Sequence, residues 1–340
     1  MEAALKSDGM VLMAHGSGGK MARDLVEKVL VKALSNPMLE LLDDSATVQF
    51  SGRLAFTTDS YVVRPIFFPG GDIGRLAVCG TVNDLAMVGA KPLYISLAFI
   101  LEEGLPLAEL EQVVRSIRQA ADEAGVHIVT GDTKVVNRGA ADRLFVNTAG
   151  VGMVPEGVHV SGSNARPGDA VILSGTIGDH GIAVLSRREG LSFDTELVSD
   201  VAPLAGMVAQ MLEACPAIRA MRDPTRGGLA STLNEIAERS RVCIRLQERA
   251  IPVRDAVRGA CEMLGFDPLY VANEGKLVAI VPAADSDRVV AVMRAHPYGR
   301  DAAIVGEVAE GPAGRVLLST AVGATRVVDM LTGDLLPRIC

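Results

Sequence analysis

Residues 93–130 constrain the fold more than any other stretch of the chain. An apolar strand-like run (93–101) is followed by Pro106 and a long amphipathic segment, then by the short apolar run His127-Ile128-Val129-Thr130. Leu110, Val113, Val114, Ile117, Ala121 and Ala124 fall on one face at helical spacing, and Gly125 supplies a stop. The pattern predicts strand, helix, strand. The second strand should deliver Gly131-Asp132-Thr133-Lys134 to a loop.

The same reading extends both ways. A helix is expected over 21–34, strands near 43–48 and 54–59, and a helix over 72–88 with Asp72 as N-cap and Gly89 as stop. A strand over 144–154 closes the first half. A polar, glycine- and proline-bearing stretch at 161–169 marks a boundary. Beyond it come strands at 170–174, 277–281, 302–308 and 316–319. Helices are expected after Gly181, over 202–214, after Gly228, over 252–265 and over 285–295. Strands and helices mix without strict alternation, which predicts an α+β fold of two domains. The division is a glycine-rich segment and helix at 1–40, domains at 41–160 and 161–330, and a mobile tail at 331–340.

Composition removes several classes of function. Lys and Arg total 33 against 41 Asp and Glu, a formal charge of −8, with no basic run and no Trp, so no nucleic-acid surface is expected. No apolar run approaches the ~20 residues of a membrane span, and the first residues lack the pattern of a secretory signal. Five cysteines, none in a C-x-x-C pair, fit reduced thiols in the cytoplasm.

Three features could carry chemistry. Aspartates recur at expected strand ends and in loops: Asp43, Asp44, Asp59, Asp84, Asp132 and Asp223. Converging carboxylates are what Mg²⁺ takes, although Asp also commonly caps helices and starts turns. Gly16-Ser17-Gly18-Gly19-Lys20 could wrap phosphates with backbone N–H groups, or be only a flexible turn; it matches neither the Walker A nor the dinucleotide pattern. Asn273-Glu274-Gly275-Lys276 allows close backbone approach beside a carboxylate, or is an ordinary turn. Finally, Pro337-Arg338-Ile339-Cys340 ends the sequence on a free thiol, either a frayed end or a reactive device.

Taken together, His15-Gly16-Ser17-Gly18-Gly19-Lys20, Asp43-Asp44-Ser45-Ala46, Thr57-Thr58-Asp59-Ser60, Val82-Asn83-Asp84-Leu85, Gly131-Asp132-Thr133-Lys134, Asp223-Pro224-Thr225-Arg226-Gly227-Gly228, Asn273-Glu274-Gly275-Lys276 and the terminal Pro337-Arg338-Ile339-Cys340 resemble a known pattern. It is that of the HypE hydrogenase maturation proteins, within the PurM-like superfamily of aminoimidazole ribonucleotide synthetase. The resemblance covers essentially the whole chain in order.

The resemblance implies two PurM-like domains, the N-terminal one forming a barrel-like interface in a homodimer. It implies ATP as cofactor, contacted by Gly18, Gly19, Lys20, Thr58, Asp59, Asn83, Asp84, Asp132 and Thr225. Mg²⁺ would be held by Asp43, Asp44, Asp59, Asp84 and Asp223. Cys340 would be carbamoylated by a HypF carbamoyltransferase and dehydrated to a thiocyanate, with Glu274 as base and Lys134 stabilising phosphoryl oxygens or polarising the carbonyl. The cyanide would pass to iron on a HypC–HypD scaffold. Two other readings stay open: a superfamily sibling that activates a diffusible substrate, and a non-catalytic carrier using the terminal thiolate as a metal ligand.

Overall fold

Asp72 starts the helix around which the N-terminal half is built. In the computed structural model, which describes residues 9–17, 19–42, 45–191, 197–333 and 336–340, its carboxylate accepts from Gly74 N and Arg75 N at 2.8 and 2.9 Å. The half runs α1 (Lys20–Leu25), a π-helical stretch (Val26–Val31), α2 (Lys32–Leu34), β1 (Arg53–Tyr61), β2 (Phe67–Phe68), β3 (Gly71–Asp72) and α3 (Ile73–Met87). Then follow β4 (Lys91–Glu102), α4 (Leu107–Ala124), β5 (His127–Val136) and β6 (Leu144–Val154). α4 begins after Pro106 and ends on Gly125 in the left-handed conformation, as its sequence requires.

The main sheet has the order β1-β6-β4-β5, with β4 and β5 parallel and the other pairs antiparallel. α3 and α4 cover one face, and they approach closely because Gly74 carries no side chain: a Cβ there would stand 2.5 Å from Val113 O. The opposite face is open. Phe56 is 72% exposed, with Leu54, Ile100 and Met153 on the same side.

Two expectations fail in this half. Residues 45–50 form no strand, because no neighbouring strand pairs with them. Gly131-Asp132-Thr133-Lys134 is not a loop but the middle of β5, held in register from Leu97↔Gly131 to Ile100↔Lys134. Gly131 fits there because a Cβ would collide with Leu97 O.

The C-terminal half comprises β7 (Asp169–Leu173), α5 (Asp179–Glu189), α6 (Ala205–Ala214), β8 (Ala220–Arg222), α7 (Gly228–Ser240), β9 (Cys243–Gln247) and α8 (Asp255–Leu264). It continues through β10 (Val278–Pro282), α9 (Ser286–Ala295), β11 (Ala303–Ala309), β12 (Arg315–Ser319) and β13 (Thr325–Val327). Its seven strands lie in the order β13-β12-β9-β11-β7-β10-β8. β7 is buried along its whole length, which explains why it reads as a continuous apolar run rather than an alternating one. Among the described residues no helix is long and apolar enough to cross a membrane.

The halves are joined through Asn83. Its amide nitrogen donates to Ala202 O (3.1 Å) and Glu274 O (3.3 Å), and its oxygen accepts from Leu204 N (2.8 Å). The end of the tail is seated in this structure. Leu336 and Ile339 are buried and join the N-terminal core cluster, so the last residues are tied down by the apolar surface they cover.

Candidate active site

Four segments from both halves converge on the end of the tail. β1 contributes Asp59, α3 contributes Asp84, the loop after β8 contributes Asp223 and Arg226, and the turn before β10 contributes Glu274. Thr57 Oγ1 donates to Asp84 at 2.8 Å, fixing that carboxylate against β1. The Asn273 side chain secures the two loops: its Nδ2 donates to Pro224 O (2.9 Å) and Val271 O (3.1 Å), and its Oδ1 accepts from Gly178 N (2.7 Å). Gly227 and Gly228 open α7 at φ 80° and 62°, and Gly228 leaves no room for a Cβ beside Leu269 O.

The charge in this cleft is unbalanced. Burial raises Glu274 well above the ordinary carboxyl range, with Asp223, Asp200, Asp59 and Asp84 adding to the effect. Its Oε1 is buried without a hydrogen-bond partner. Burial and then Asp84 push Asp223 up to about 7, and burial raises Asp84 against the opposing Thr57 hydroxyl. Asp200 is held down: burial works against it, but Lys276 lies 3.1 Å away.

Cys340 enters this cleft. Its main-chain oxygen accepts from Val62 N at 3.1 Å, and Arg226 Nη2 donates to its sulfur at 3.2 Å. Burial, then Glu274, push the thiol up to about 12, Arg226 opposing them. The docked sulfur is therefore a neutral thiol.

Other expected site residues lie elsewhere. Lys134 Nζ bonds both oxygens of Asp132 at 2.6 Å and holds that carboxyl below its ordinary range. Both project on the open face of β5, at the far edge of the sheet from β1, three interstrand spacings or about 14 Å away. Gly19 caps α1 and Lys20 is its exposed first residue. The turn ahead of them packs on β5, where a Cβ on Gly16 would stand 2.5 Å from Val135 N. Between this N-terminal segment and β5 lies a cavity of about 610 Å³, lined by Leu30, Leu34, Leu97, Phe99, Thr130 and Lys134 among others. Thr58 donates to Thr148 O at 2.8 Å, and Thr225 O accepts from Gly228 N. The donors and acceptor of the Asn83 side chain are engaged between the halves. Gly18, Asp43 and Asp44 lie outside the described residues.

The donor set suits a hard divalent cation. Among the described residues no three His, Cys, Asp or Glu side chains already stand together as a metal cage. Burial first, and neighbouring acids second, raise Asp84, Asp223 and Glu274, and a cation bound among them would relieve the charge part of that effect.

Comparisons with known proteins establish the family and the fold. Residues 42–154 match the AIR synthase related protein N-terminal domain and residues 166–319 its C-terminal domain. The carbamoyl dehydratase HypE of Azotobacter vinelandii is 56% identical over 98% of both chains. The chain belongs to the HypE family. A HypE crystal structure in complex with ATP superposes with a TM-score of 0.94 at 50% identity, covering 97% of this chain and 99% of that one. The HypE of a HypE–HypF complex superposes with a TM-score of 0.80 at 50% identity, covering 90% and 99%.

Several residues of this HypE-family cleft escaped the sequence reading. Lys276 lies in the same motif as Glu274, but its partner is Asp200, which no spacing in the sequence points to. His180 and Arg188 sit in no motif, and only the tertiary fold brings them to the tail; Asp200, likewise in no motif, is brought to Lys276 and the Glu274 amide.

Proposed function

We propose that this chain is an ATP-dependent carbamoyl dehydratase that converts an S-carboxamide on its own Cys340 into a thiocyanate, supplying cyanide for the iron of a [NiFe]-hydrogenase. The observation that carries the reading is the seating of the Cys340 sulfur among Arg226, Glu274 and Asp59. Those neighbours are carboxylates and a guanidinium, not the soft ligands a thiolate-based metal carrier would recruit.

The chemistry follows from the side chains. The carboxamide oxygen attacks the γ-phosphorus of ATP, ADP leaves, and the oxygen becomes part of a good leaving group. Loss of phosphate then forms C≡N while nitrogen gives up two protons in all. Glu274, buried with an unpartnered oxygen, would in its ionised form take protons from that nitrogen. Arg226 beside the sulfur offsets negative charge gathering on the carboxamide. Asp59, Asp84 and Asp223, with Asp43 and Asp44, would hold Mg²⁺, whose charge would offset that of the phosphoryl oxygens. The apolar cavity beside the glycine turn suits the nucleotide's base, and Gly18, Gly19 and Lys20 suit its phosphates.

Lys134 needs a second subunit to take part. β1, β4 and β5 run in the same direction, so Asp59 and Lys134 both lie near the same end of the sheet. The open apolar face around Phe56 is suited to packing against its copy in a homodimer. A two-fold axis along the resulting barrel sets each β1 edge beside the partner's β5, with those ends together. Each cleft then receives Lys134 and Asp132 of the partner subunit.

In this scheme a HypF-type carbamoyltransferase loads Cys340 in the cytoplasm, and a HypC–HypD scaffold receives the cyanide. The test is intact-protein mass during incubation with that carbamoyltransferase, carbamoyl phosphate and ATP. One carbamoyl group should appear on Cys340 and then lose one water in an ATP-dependent step. A chain that never carries the adduct on Cys340 sinks the proposal.

A further inference from the structure

The tail is gripped by its main chain. On α5, Arg188 donates from Nη1 to Pro337 O and from Nη2 to Arg338 O, both at 2.7 Å, while its Nε donates to Arg64 O at 2.8 Å. One guanidinium therefore ties two tail carbonyls to the segment that follows β1. His180 lies eight residues earlier on the same helix, which places it on the same face. Its Nε2 is 2.8 Å from Ile339 O. A carbonyl only accepts, so Nε2 carries the proton and Nδ1 accepts from Ser199 Oγ at 2.8 Å. Burial lowers the His180 pKa, in keeping with this neutral form.

Val62 N and Arg64 N complete the grip by donating to Cys340 O and Arg338 O at 3.1 and 3.2 Å. The main-chain oxygens of all four residues from Pro337 to Cys340 are thus held. The side chains contribute selectivity: Ile339 is 2% exposed, and Gly181 leaves space beside Leu336, where a Cβ would stand 3.2 Å from Cδ1.

We propose that the His180–Arg188 face of α5 is the receptor that docks the tail and sets where the Cys340 sulfur stops. Arg188 and His180 are positioning residues: they touch tail carbonyls and not the reacting group. Recognition through carbonyls leaves the thiol free to change from SH to carboxamide to thiocyanate without altering the grip. The link to dehydration rests on the function proposed above; the docking itself does not.

The test separates the two. Alkylation of Cys340 by iodoacetamide, followed by peptide mapping on the full-length protein, reports tail release without any turnover. Arg188→Ala lies at a partly exposed position and should accelerate alkylation tenfold or more, with Arg188→Lys in between. His180→Gln, which keeps a donor, should fall below the effect of His180→Ala. Equal alkylation rates in wild type and Arg188→Ala overturn the proposal. In carbamoylated protein, Arg188→Ala should slow conversion while ATP affinity stays within twofold; a parallel loss of ATP affinity would refute a positioning role. Failure of the wild type to convert would count against the dehydratase reading alone.

Discussion

The Arg226 guanidinium lies 3.2 Å from the Cys340 sulfur, yet the thiol beside it is harder to ionise than a free one. A neighbouring cation alone would lower a thiol's pKa. Here burial and Glu274 outweigh it, so the docked pocket selects neutral sulfur. A carboxamide and a thiocyanate are neutral; a thiolate ready for carbamoylation is not. The pocket therefore disfavours the nucleophile and tolerates the later, modified forms.

That preference predicts a pH-dependent release of the unmodified tail. The docked thiol titrates at about 12 against an ordinary 9.0. Docking is then at full strength below about 9 and weakens as pH rises towards 12, by up to about tenfold per unit. The methyl resonances of Ile339 should move from docked to free positions over that rise in wild type, and stay docked in Cys340→Ser. Identical profiles for the two proteins would contradict the selection of neutral sulfur.

Glu274→Gln should separate stability from chemistry. Glu274 is raised above its ordinary value of 4.5 by burial and by other acids. An acid raised on folding contributes stability at low pH and loses it as pH climbs past its unfolded value. At neutral pH the Gln variant should melt no lower than wild type, and the gap in its favour should narrow toward pH 4. Conversion of the carbamoylated tail should fall about 100-fold or more, the loss expected for a missing general base. Single-turnover mass measurement and thermal melts read the two effects independently, and full conversion would remove Glu274 from the mechanism.

How far the sequence revealed this site depended on the range of the interactions. The 107–124 helix and the Asp72 cap are set by residues a few positions apart, so spacing and end signals sufficed to place them. The aspartates and Glu274 were visible because each sits beside small or hydroxyl residues in a recognisable motif. Gly131–Lys134 looked like a loop because its strand character comes from pairing with β4. Arg188 and His180 were invisible for another reason. They bind carbonyls, which every residue possesses, so neither the tail nor the helix carries a compositional mark of the contact. Asn83 was assigned to the nucleotide only through the resemblance its motif carries, and on a helix it points in a different direction from the adjacent Asp84.

Asn83→Ala tests that revised assignment. It would leave the Leu204 amide and two carbonyls unpartnered in a buried junction. The expected cost is about 2–4 kcal/mol in stability, measured by chemical denaturation. A variant as stable as wild type that had only lost ATP affinity would return Asn83 to the nucleotide.

The placement of Lys134 is tested by mixing inactive subunits. Lys134→Ala and Glu274→Gln should each abolish conversion alone. In a dimer of the two, the cleft that combines an intact Glu274 with the partner's intact Lys134 is complete, whereas the other cleft lacks both. Random reassociation makes about half the dimers mixed, with one of two clefts complete in each, so about a quarter of wild-type conversion should return. If Lys134 instead served its own subunit, every cleft in the mixture would lack one residue and nothing would return. Phe56→Glu on the open face, 72% exposed in the single subunit, supplies the control. It should yield monomers in sedimentation, and the restored conversion should vanish when both partners carry it.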